Sequence, residues 1–259
     1  MLSPEFQNSR KKNILTRRMT MSDKHYEMVN KAAEDLLMLA KRFGPFGTIM
    51  ADPPWRFSNR TGKMAPEHKR LSRYSTMTLE EIMELPVQRI ALPESHLYLW
   101  VPNALIREGL EVMNRWGFTY KTNMVWHKIR KDGGPDGRGV GFYFRNVTEL
   151  VLFGTRGNIR TLAPGRRQVN IISSRKREHS RKPDELYGII EQCSLGPHLE
   201  LFARHKMSNW IQWGNEINYG DQKKALYVPC SEDQPLQQGL LEKPKRYKKI
   251  KSKNLTLVQ

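Results

Sequence analysis

Cysteine and long apolar runs are the features that this sequence has least of. Its two cysteines, Cys193 and Cys230, cannot make a disulfide scaffold or a four-ligand zinc site, so we expect a reducing compartment and no bound metal. No segment approaches the roughly 20 consecutive apolar residues that span a bilayer, and the N-terminus has no apolar stretch typical of a signal peptide. These absences argue against a disulfide-rich secreted protein and a membrane protein, and predict a cytoplasmic chain.

Glycine-rich phosphate-binding loops are also lacking. The sequence contains no Walker motif, and no Gly-x-Gly-x-x-Gly follows a predicted strand. The common classes of nucleotide-phosphate enzyme are therefore disfavoured.

Acidic residues are few relative to basic ones. The chain of 259 residues has 44 Lys or Arg against 26 Asp or Glu, which gives a net charge of +18. Basic side chains neutralise phosphates and release their counterions, so nucleic acid is the natural partner. Charge alone leaves open the alternative of a basic protein with no nucleic-acid role.

One segment concentrates the positive charge. Residues 156–182 contain nine Lys or Arg and one acidic residue, Glu178, for a local net charge of +8. A charged run is usually only solvated, but this one interrupts an α/β pattern, which favours contact with phosphates. The predicted contact residues are Arg166, Arg167, Arg175, Lys176 and Arg177.

Apolar periodicity predicts that helices and strands alternate along the chain. Helices are predicted at 24–43, 78–85, 103–116 and 183–193, with Thr78 and Asn103 as N-caps. Strands are predicted at 47–52, 96–101, 120–127, 149–154, 199–203 and 210–213, with a short apolar run at 169–172. Most of these strands are continuous apolar runs, which indicates an α/β fold with a mainly parallel sheet covered by helices on both faces.

Composition divides the chain into three parts. Residues 1–23 resemble a tag or a disordered N-terminus, residues 24–219 carry the α/β pattern, and residues 220–259 form a polar, basic tail. We expect one catalytic domain, at residues 24–219.

Polar residues follow three of the predicted strands: Asp52, the pair Arg204 and His205, and the pair Asn215 and Glu216. Ligands of parallel α/β sheets bind beyond the carboxyl ends of the strands. We therefore expect these residues to meet at one edge of the sheet.

Asp52-Pro53-Pro54-Trp55 suits chemistry on an aromatic amine. The lone pair of the adenine N6 amine is conjugated into the ring, and two acceptors on its N–H groups would free that lone pair. The Asp52 carboxylate and the Pro53 carbonyl can supply these acceptors; proline fixes the backbone in advance, and the Trp55 ring can stack on a base. The alternative is that these residues only form a junction between a strand and a turn.

These motifs resemble those of the MT-A family of N6-adenine methyltransferases. The resemblance covers about residues 44–218 and includes Asp52-Pro-Pro-Trp55, Tyr74-Ser-Thr-Met77, His96-Leu-Tyr-Leu-Trp-Val101, Trp126-x-Lys128, Arg181-Lys-Pro-Asp-Glu185, Glu200-Leu-Phe202 and Asn209-Trp210. It implies a Rossmann-like methyltransferase fold with S-adenosyl-L-methionine as the cofactor.

The resemblance also implies roles for individual residues. Asp52 would bind the target amine near the methionine end of the cofactor, Pro53 would offer its carbonyl, and Trp55 would line the adenine pocket. Lys182 would pair with the cofactor carboxylate. The remaining matches would contact the cofactor ribose or its hydroxyls (Arg204, His205, Asn215, Glu216) or lie near the adenine (Tyr74, Glu149).

Two positions depart from the family pattern. Glu216 stands where a Gln is common, and Arg181 stands where a His is common, so the role of that His is not transferred. The family's long N-terminal regulatory and zinc-finger regions are missing from the sequence, which favours a compact prokaryotic or phage enzyme. DNA is therefore the expected substrate, a homodimer is plausible, and the alternatives are an RNA adenosine methyltransferase and a catalytically silent nucleic-acid-binding subunit.

Overall fold

The computed structural model describes residues 21–56, 76–137, 143–175 and 181–214, without the side chains of residues 21–28 and Pro164. The helices are α1 (Met21–Phe43), α2 (Leu79–Glu84), α3 (Val87–Ile90), α4 (Ile106–Arg115) and α5 (Glu185–Cys193), with 3₁₀ helices at Asn103–Leu105 and Ala163–Arg167. The strands are β1 (Phe46–Ala51), β2 (Ala91–Val101), β3 (Thr119–Ile129), β4 (Thr148–Arg156), β5 (Ile171–Arg175), β6 (His198–Leu201) and β7 (Ile211–Trp213).

The strands form one seven-stranded sheet in the order β5-β3-β4-β2-β1-β6-β7. β1 pairs in parallel with β2 and β6, β6 with β7, and β3 with β5. Only β4 runs against its neighbours, antiparallel to both β2 and β3. The predicted α/β fold with a mainly parallel sheet is confirmed.

Helices cover both faces of this sheet, as predicted. Alternate residues of β2 enter separate buried clusters, Leu97 and Leu99 on one face and Tyr98 and Trp100 on the other. The first cluster includes residues of α1, α2, α3 and α4, whereas the second includes Leu186 and Ile190 of α5. Since both faces are buried, the strands of the sheet centre are apolar runs rather than polar–apolar alternations.

The start of α2 follows its sequence signal. The Thr78 hydroxyl accepts a hydrogen bond from the Glu81 amide at 3.3 Å, and the Glu81 carboxylate accepts one from the Thr78 amide at 2.7 Å. These two bonds form the predicted capping box and satisfy amide groups that the helix leaves unpaired.

The N-cap predicted at Asn103 is wrong. Asn103 lies inside a 3₁₀ helix, and its side chain donates to the Thr148 carbonyl at 3.2 Å and to the Thr148 hydroxyl at 3.1 Å. The residue therefore ties the end of β2 to the start of β4 instead of capping α4. Local sequence does not reveal this competing partner, which lies 45 residues away.

Candidate active site

The carboxyl ends of β1 and β6 open onto one cleft. Asp52 follows β1 directly, and Arg204 and His205 follow β6, so the parallel pairing of these strands brings all three residues to the same edge. Asp52, Arg204 and His205 line this cleft. Lys182, Tyr187 and Glu200 also line it.

Lys182 joins two carboxylates at the margin of this cleft. Its ammonium lies 3.0 Å from Asp52 Oδ2 and 3.1 Å from Glu149 Oε2, and 5.0 Å from the centre of the Trp100 ring. Burial alone would lower the pKa of Lys182, but the charges of Asp52 and Glu149 outweigh it, and the pKa is raised. Lys182 therefore stays a cation in a partly buried site.

Glu149 is held from its other side by Lys128. The Lys128 ammonium contacts Glu149 Oε1 and lies 4.8 Å from the centre of the Trp126 ring. Burial would raise the pKa of Glu149, yet Lys182 and Lys128 outweigh it and lower the pKa to about 2. Lys128, Glu149, Lys182 and Asp52 thus form a row of alternating charges.

The row depends on the reversed direction of β4. Glu149 is the second residue of β4, and the antiparallel pairing places the start of this strand beside the carboxyl ends of β2 and β3. In the register of β3 and β4, Glu149 lies opposite Trp126. Trp126 precedes Lys128 by two residues on β3. In a parallel strand, the same residue would lie at the opposite edge of the sheet.

Glu200 is a half-buried carboxyl group on the other side of the cleft. Its oxygens accept hydrogen bonds from the Tyr187 hydroxyl at 2.9 Å and from the Gln212 amide at 3.2 Å. Burial raises the pKa of Glu200 to about 7, the charge of Asp52 adds to the rise, and the two hydrogen bonds oppose it. Near neutral pH, this group can carry or release a proton.

The Asp-Pro-Pro-Trp segment is only partly directed at the cleft. The Pro53 carbonyl accepts a hydrogen bond from the Trp55 amide at 2.8 Å, and the Pro54 carbonyl accepts one from the Met77 amide at 2.9 Å. A carbonyl has a second lone pair, so Pro53 keeps the capacity to accept from a ligand. The chain direction after Asp52 is fixed by these two contacts.

Trp55 does not take the position expected of a stacking ring. Its side chain is 6% exposed, belongs to the first buried cluster, and donates a hydrogen bond from its indole to the Trp100 carbonyl at 2.9 Å. Because the indole nitrogen needs a partner when buried, the backbone of β2 fixes the ring in the core. Trp100, a member of the second buried cluster, lines the cleft instead.

The predicted phosphate contacts fall at opposite ends of the sheet. Arg166 and Arg167 belong to the second 3₁₀ helix, which packs against the C-terminal end of α5 through Gly165 and Cys193. The cleft, in contrast, lies at the N-terminal end of α5. Nine helical residues separate these ends by roughly 13 Å. Arg175 ends β5 beside Ile129 and lies at the same edge as the cleft.

Several predicted residues are not covered by this description. Tyr74, Lys176, Arg177, Asn215 and Glu216 lie outside the described residues. Their predicted roles remain predictions.

Three residues of the site received no role from the sequence: Lys128, Tyr187 and Glu200. A signal for Glu200 was present, because a carboxylate in the short strand His198–Leu201, between Leu199 and Leu201, interrupts an apolar run. Lys128 and Tyr187 gave no such signal, since a charged or aromatic residue near the end of a strand or the start of a helix is unremarkable in sequence.

Within the part of the chain that the structure describes, no three His, Cys, Asp or Glu residues are grouped so that they could hold a metal ion. Across the same residues, every helix is too short or too polar to span a membrane.

Comparisons with known proteins place the site in a family. The MT-A70 family model matches residues 46–216, which include Asp52, Glu149, Lys182 and Glu200. The N(6)-adenosine-methyltransferase catalytic subunit METTL3 of Homo sapiens is 31% identical over 206 residues, 78% of this chain and 33% of that protein. A putative N(6)-adenosine-methyltransferase MT-A70-like protein of Medicago truncatula is 33% identical over 187 residues, 68% of this chain and 27% of that protein.

A shorter relative is also similar. The Type II methyltransferase M.MunI of Mycoplasma sp is 28% identical over 191 residues, which make up 66% of this chain and 78% of that protein. Against METTL3, the chain spans only about a third of the relative's length.

Proposed function

The chain belongs to the MT-A70 family, and from this premise we propose that it methylates the exocyclic N6 amine of adenine in DNA. MT-A70 methyltransferases use S-adenosylmethionine as the methyl donor. The catalytic domain in this proposal is residues 24–219, although helix α1 begins three residues earlier, at Met21.

The cleft matches the charges of this methyl donor. S-adenosylmethionine carries a carboxylate, an ammonium and a sulfonium. Lys182 supplies the cation for the carboxylate, and the acidic groups of Asp52 and Glu200 line the same cleft for the positive groups. Arg204 and His205, on the segment after β6, would reach the ribose, and Asn215 and Glu216 would hold its hydroxyls.

The target amine would bind at Asp52. When bound, S-adenosylmethionine supplies an electrophilic methyl group whose bond to sulfur breaks as the bond to N6 forms. Asp52 and the Pro53 carbonyl accept hydrogen bonds from the two N–H groups, which makes the nitrogen lone pair available. Asp52 then takes the proton that N6 loses after methylation, and solvent removes it from the carboxylate.

The observation that carries the proposal is the pair of contacts made by Lys182. The residue that would bind the cofactor carboxylate lies 3.0 Å from the residue that would bind the amine and 3.1 Å from Glu149, which would lie near the target base. The proposal thus brings the methyl donor and the target amine to one charge cluster, where alignment would lower the barrier without a covalent intermediate. A cofactor carboxylate at Lys182 would compete with Asp52 and release it toward the amine.

Nucleic acid is the expected partner on the ground of charge, and DNA is the preferred form. The preference follows the likeness to a Type II methyltransferase, a class that modifies DNA, which aligns over most of its length. RNA is the second candidate, because METTL3 and the Medicago relative are named for adenosine methylation. A homodimer is part of the proposal and would appear as twice the chain mass in light scattering.

Transfer of a labelled methyl group tests the substrate. The full chain is incubated with labelled S-adenosylmethionine and with DNA and RNA of matched sequence, and N6-methyladenine is measured in each. We expect label in DNA. Label in RNA alone would reject DNA as the substrate, and label in neither, with no cofactor binding by calorimetry, would favour the catalytically silent subunit.

Substitution of Asp52 tests the mechanism. We expect Asp52→Ala to lower the rate of methyl transfer by about 10²-fold or more, because the amine loses its charged acceptor. Lys182 keeps Glu149 as a partner, so binding of S-adenosylmethionine should persist in calorimetry. Substantial turnover by this variant would reject Asp52 as the amine acceptor.

A further inference from the structure

Two adjacent aromatic side chains project from the segment that leads into β4. Tyr143 is 94% exposed and Phe144 is 85% exposed, more than any other large hydrophobic residue that the structure describes. Single exposed apolar residues are common, but two consecutive large rings in water indicate a binding surface.

The chain brings this aromatic pair close to the cluster around Lys182. The Val147 carbonyl, three residues after Phe144, accepts a hydrogen bond from the Lys128 amide at 2.8 Å. Glu149, which contacts Lys182, follows two residues later. Since an extended chain spans at most about 3.6 Å per residue, the Cα atoms of Tyr143 and Phe144 lie within roughly 22 Å of the Cα atom of Glu149.

Positive charge surrounds the same edge of the sheet. Arg145 follows the aromatic pair directly and is exposed, as is Lys131 just after β3. Arg175 is exposed at the end of β5 and is paired in the register with Ile129, at the end of β3. Exposed rings beside cations match the chemistry of nucleic acid, whose bases present flat π faces and whose backbone is anionic.

We propose that Tyr143 and Phe144 enter the duplex beside the target adenine and stack on the bases that border the gap it leaves. An adenine in a duplex must leave the stack before its amine can reach an enzyme cleft, and unstacking costs free energy. Rings that enter the duplex displace the adenine from its thymine partner and then stack on the neighbouring bases, so they matter most where a base pair must open. This inference rests on the proposed methylation of duplex DNA and adds the surface that opens the duplex.

Paired substrates separate this role from a merely structural one. One duplex holds the target adenine opposite thymine, and the other holds it opposite an abasic site, where extrusion breaks no base pair. The variant Tyr143→Ala/Phe144→Ala is compared with the wild-type chain by kcat/KM on both duplexes. Met38→Ala is the matched control, because Met38 is 53% exposed on α1, an element that does not contribute to the cleft.

We expect the double variant to lose at least about tenfold in kcat/KM on the paired duplex and much less on the abasic duplex. Phe144→Trp, with Tyr143 retained, should keep the wild-type ratio between the two substrates, and the control should keep both rates. S-adenosylmethionine binding, measured by calorimetry, should be unchanged in every variant.

Three results would overturn the inference while leaving the proposed function intact. They are an equal loss on both duplexes, an unchanged rate on the paired duplex, and methylation by the wild type of single strands only. A change of mass on substitution, from dimer to monomer in light scattering, would assign the rings to contact between copies and also overturn it. Failure of the proposed function itself would appear differently, as a wild-type chain that methylates neither the two duplexes nor single-stranded DNA.

Discussion

Two carboxyl groups of the same site have their pKa values shifted in opposite directions by their surroundings. Glu149 contacts two lysines and has its pKa lowered to about 2, whereas burial raises the pKa of Glu200 to about 7. Both line or border one cleft, and both are glutamates, so the difference arises from their partners alone. Such separation of pKa values within one site is typical of groups with distinct chemical roles.

The raised pKa of Glu200 predicts a pH dependence of stability. The folded state binds a proton at Glu200 more tightly than the unfolded state, so this group stabilises the fold below about pH 4.5, and the stabilisation is lost as the pH rises toward 7. We expect Glu200→Gln, which is neutral at every pH, to raise the melting temperature relative to wild type at pH 8 but not at pH 5. Thermal unfolding without ligands, measured from pH 5 to pH 8, provides the comparison.

Glu191→Gln is the control for this pH series. Glu191 lies near Glu200 in the chain and accepts a hydrogen bond from the Trp210 indole at 2.9 Å, but it does not line the cleft. Its substitution should shift the melting temperature by a similar amount at pH 5 and pH 8. A difference between Glu200→Gln and wild type that stays constant over the series would contradict the assignment.

The position of a site residue was predictable where one residue type meets one chemical demand. A carboxylate directly after a buried strand and before two prolines pointed to Asp52, the resemblance to the MT-A family pointed to Lys182, and both residues line the cleft. The location of Trp55 was not predictable, because an indole suits both a base and a core, and only the Trp100 carbonyl decides between them.

At the scale of secondary structure, local signals succeeded where the partner is close in sequence. The capping box of α2 joins residues three apart and was predicted from their spacing. Asn103 bonds to Thr148 and Trp55 to Trp100, each 45 residues apart, and no local pattern encodes these choices. The short helices Val87–Ile90 and Ala163–Arg167 were not predicted, because neither completes a long apolar periodicity.

The capping box is expected to stabilise the fold measurably. Thr78→Ala removes the hydroxyl that accepts from the Glu81 amide, at a cost of about 1 kcal/mol. For a domain of this size, the melting temperature should fall by about 2–4 °C. Thr78→Ser keeps the hydroxyl acceptor, so its melting temperature should stay close to that of the wild type. Glu84→Ala, a substitution at an exposed position of the same helix, should change the melting temperature little. Equal losses for Ala and Ser would show that the methyl group of Thr78, rather than its hydroxyl, stabilises α2.

The direction of β4 was the least predictable feature of the sheet. The apolar run at 149–154 predicted a strand but not its orientation, since parallel and antiparallel central strands are equally apolar when both faces are buried. Orientation decides which residues meet at the cleft, because only the antiparallel arrangement puts Glu149 beside Lys182. The resemblance to the MT-A family predicts that Glu149 lies near the adenine, and this role stays a prediction.

At the scale of the whole molecule, the predicted phosphate-contact arginines that the structure describes are spread over the fold rather than gathered at one edge of the sheet. Arg175 lies at the edge that holds the cleft, whereas Arg166 and Arg167 lie beside the far end of α5. Arg166 also donates a hydrogen bond to the Thr161 carbonyl at 3.1 Å. Sequence proximity grouped these three arginines, and the fold separates them.

This separation predicts unequal contributions to nucleic-acid binding. Arg175→Gln should weaken binding and reduce the slope of log affinity against log salt concentration by about 1, the value for one phosphate contact. Arg166→Gln/Arg167→Gln should change the slope little, despite removing twice the charge. Fluorescence anisotropy with labelled DNA from 50 to 300 mM salt measures both slopes, and a larger change for the double variant would reverse the assignment.

The contact between the second 3₁₀ helix and α5 has a practical consequence. Cys193 is buried there, its sulfur lies 3.7 Å from the Gly165 carbonyl, and burial raises the pKa of its thiol. A thiol in this state reacts slowly with alkylating reagents, because the reactive thiolate is both scarce and shielded. Maleimide labelling of Cys193, assigned by peptide mapping, therefore reports loosening of this contact and distinguishes a damaged fold from a damaged active site.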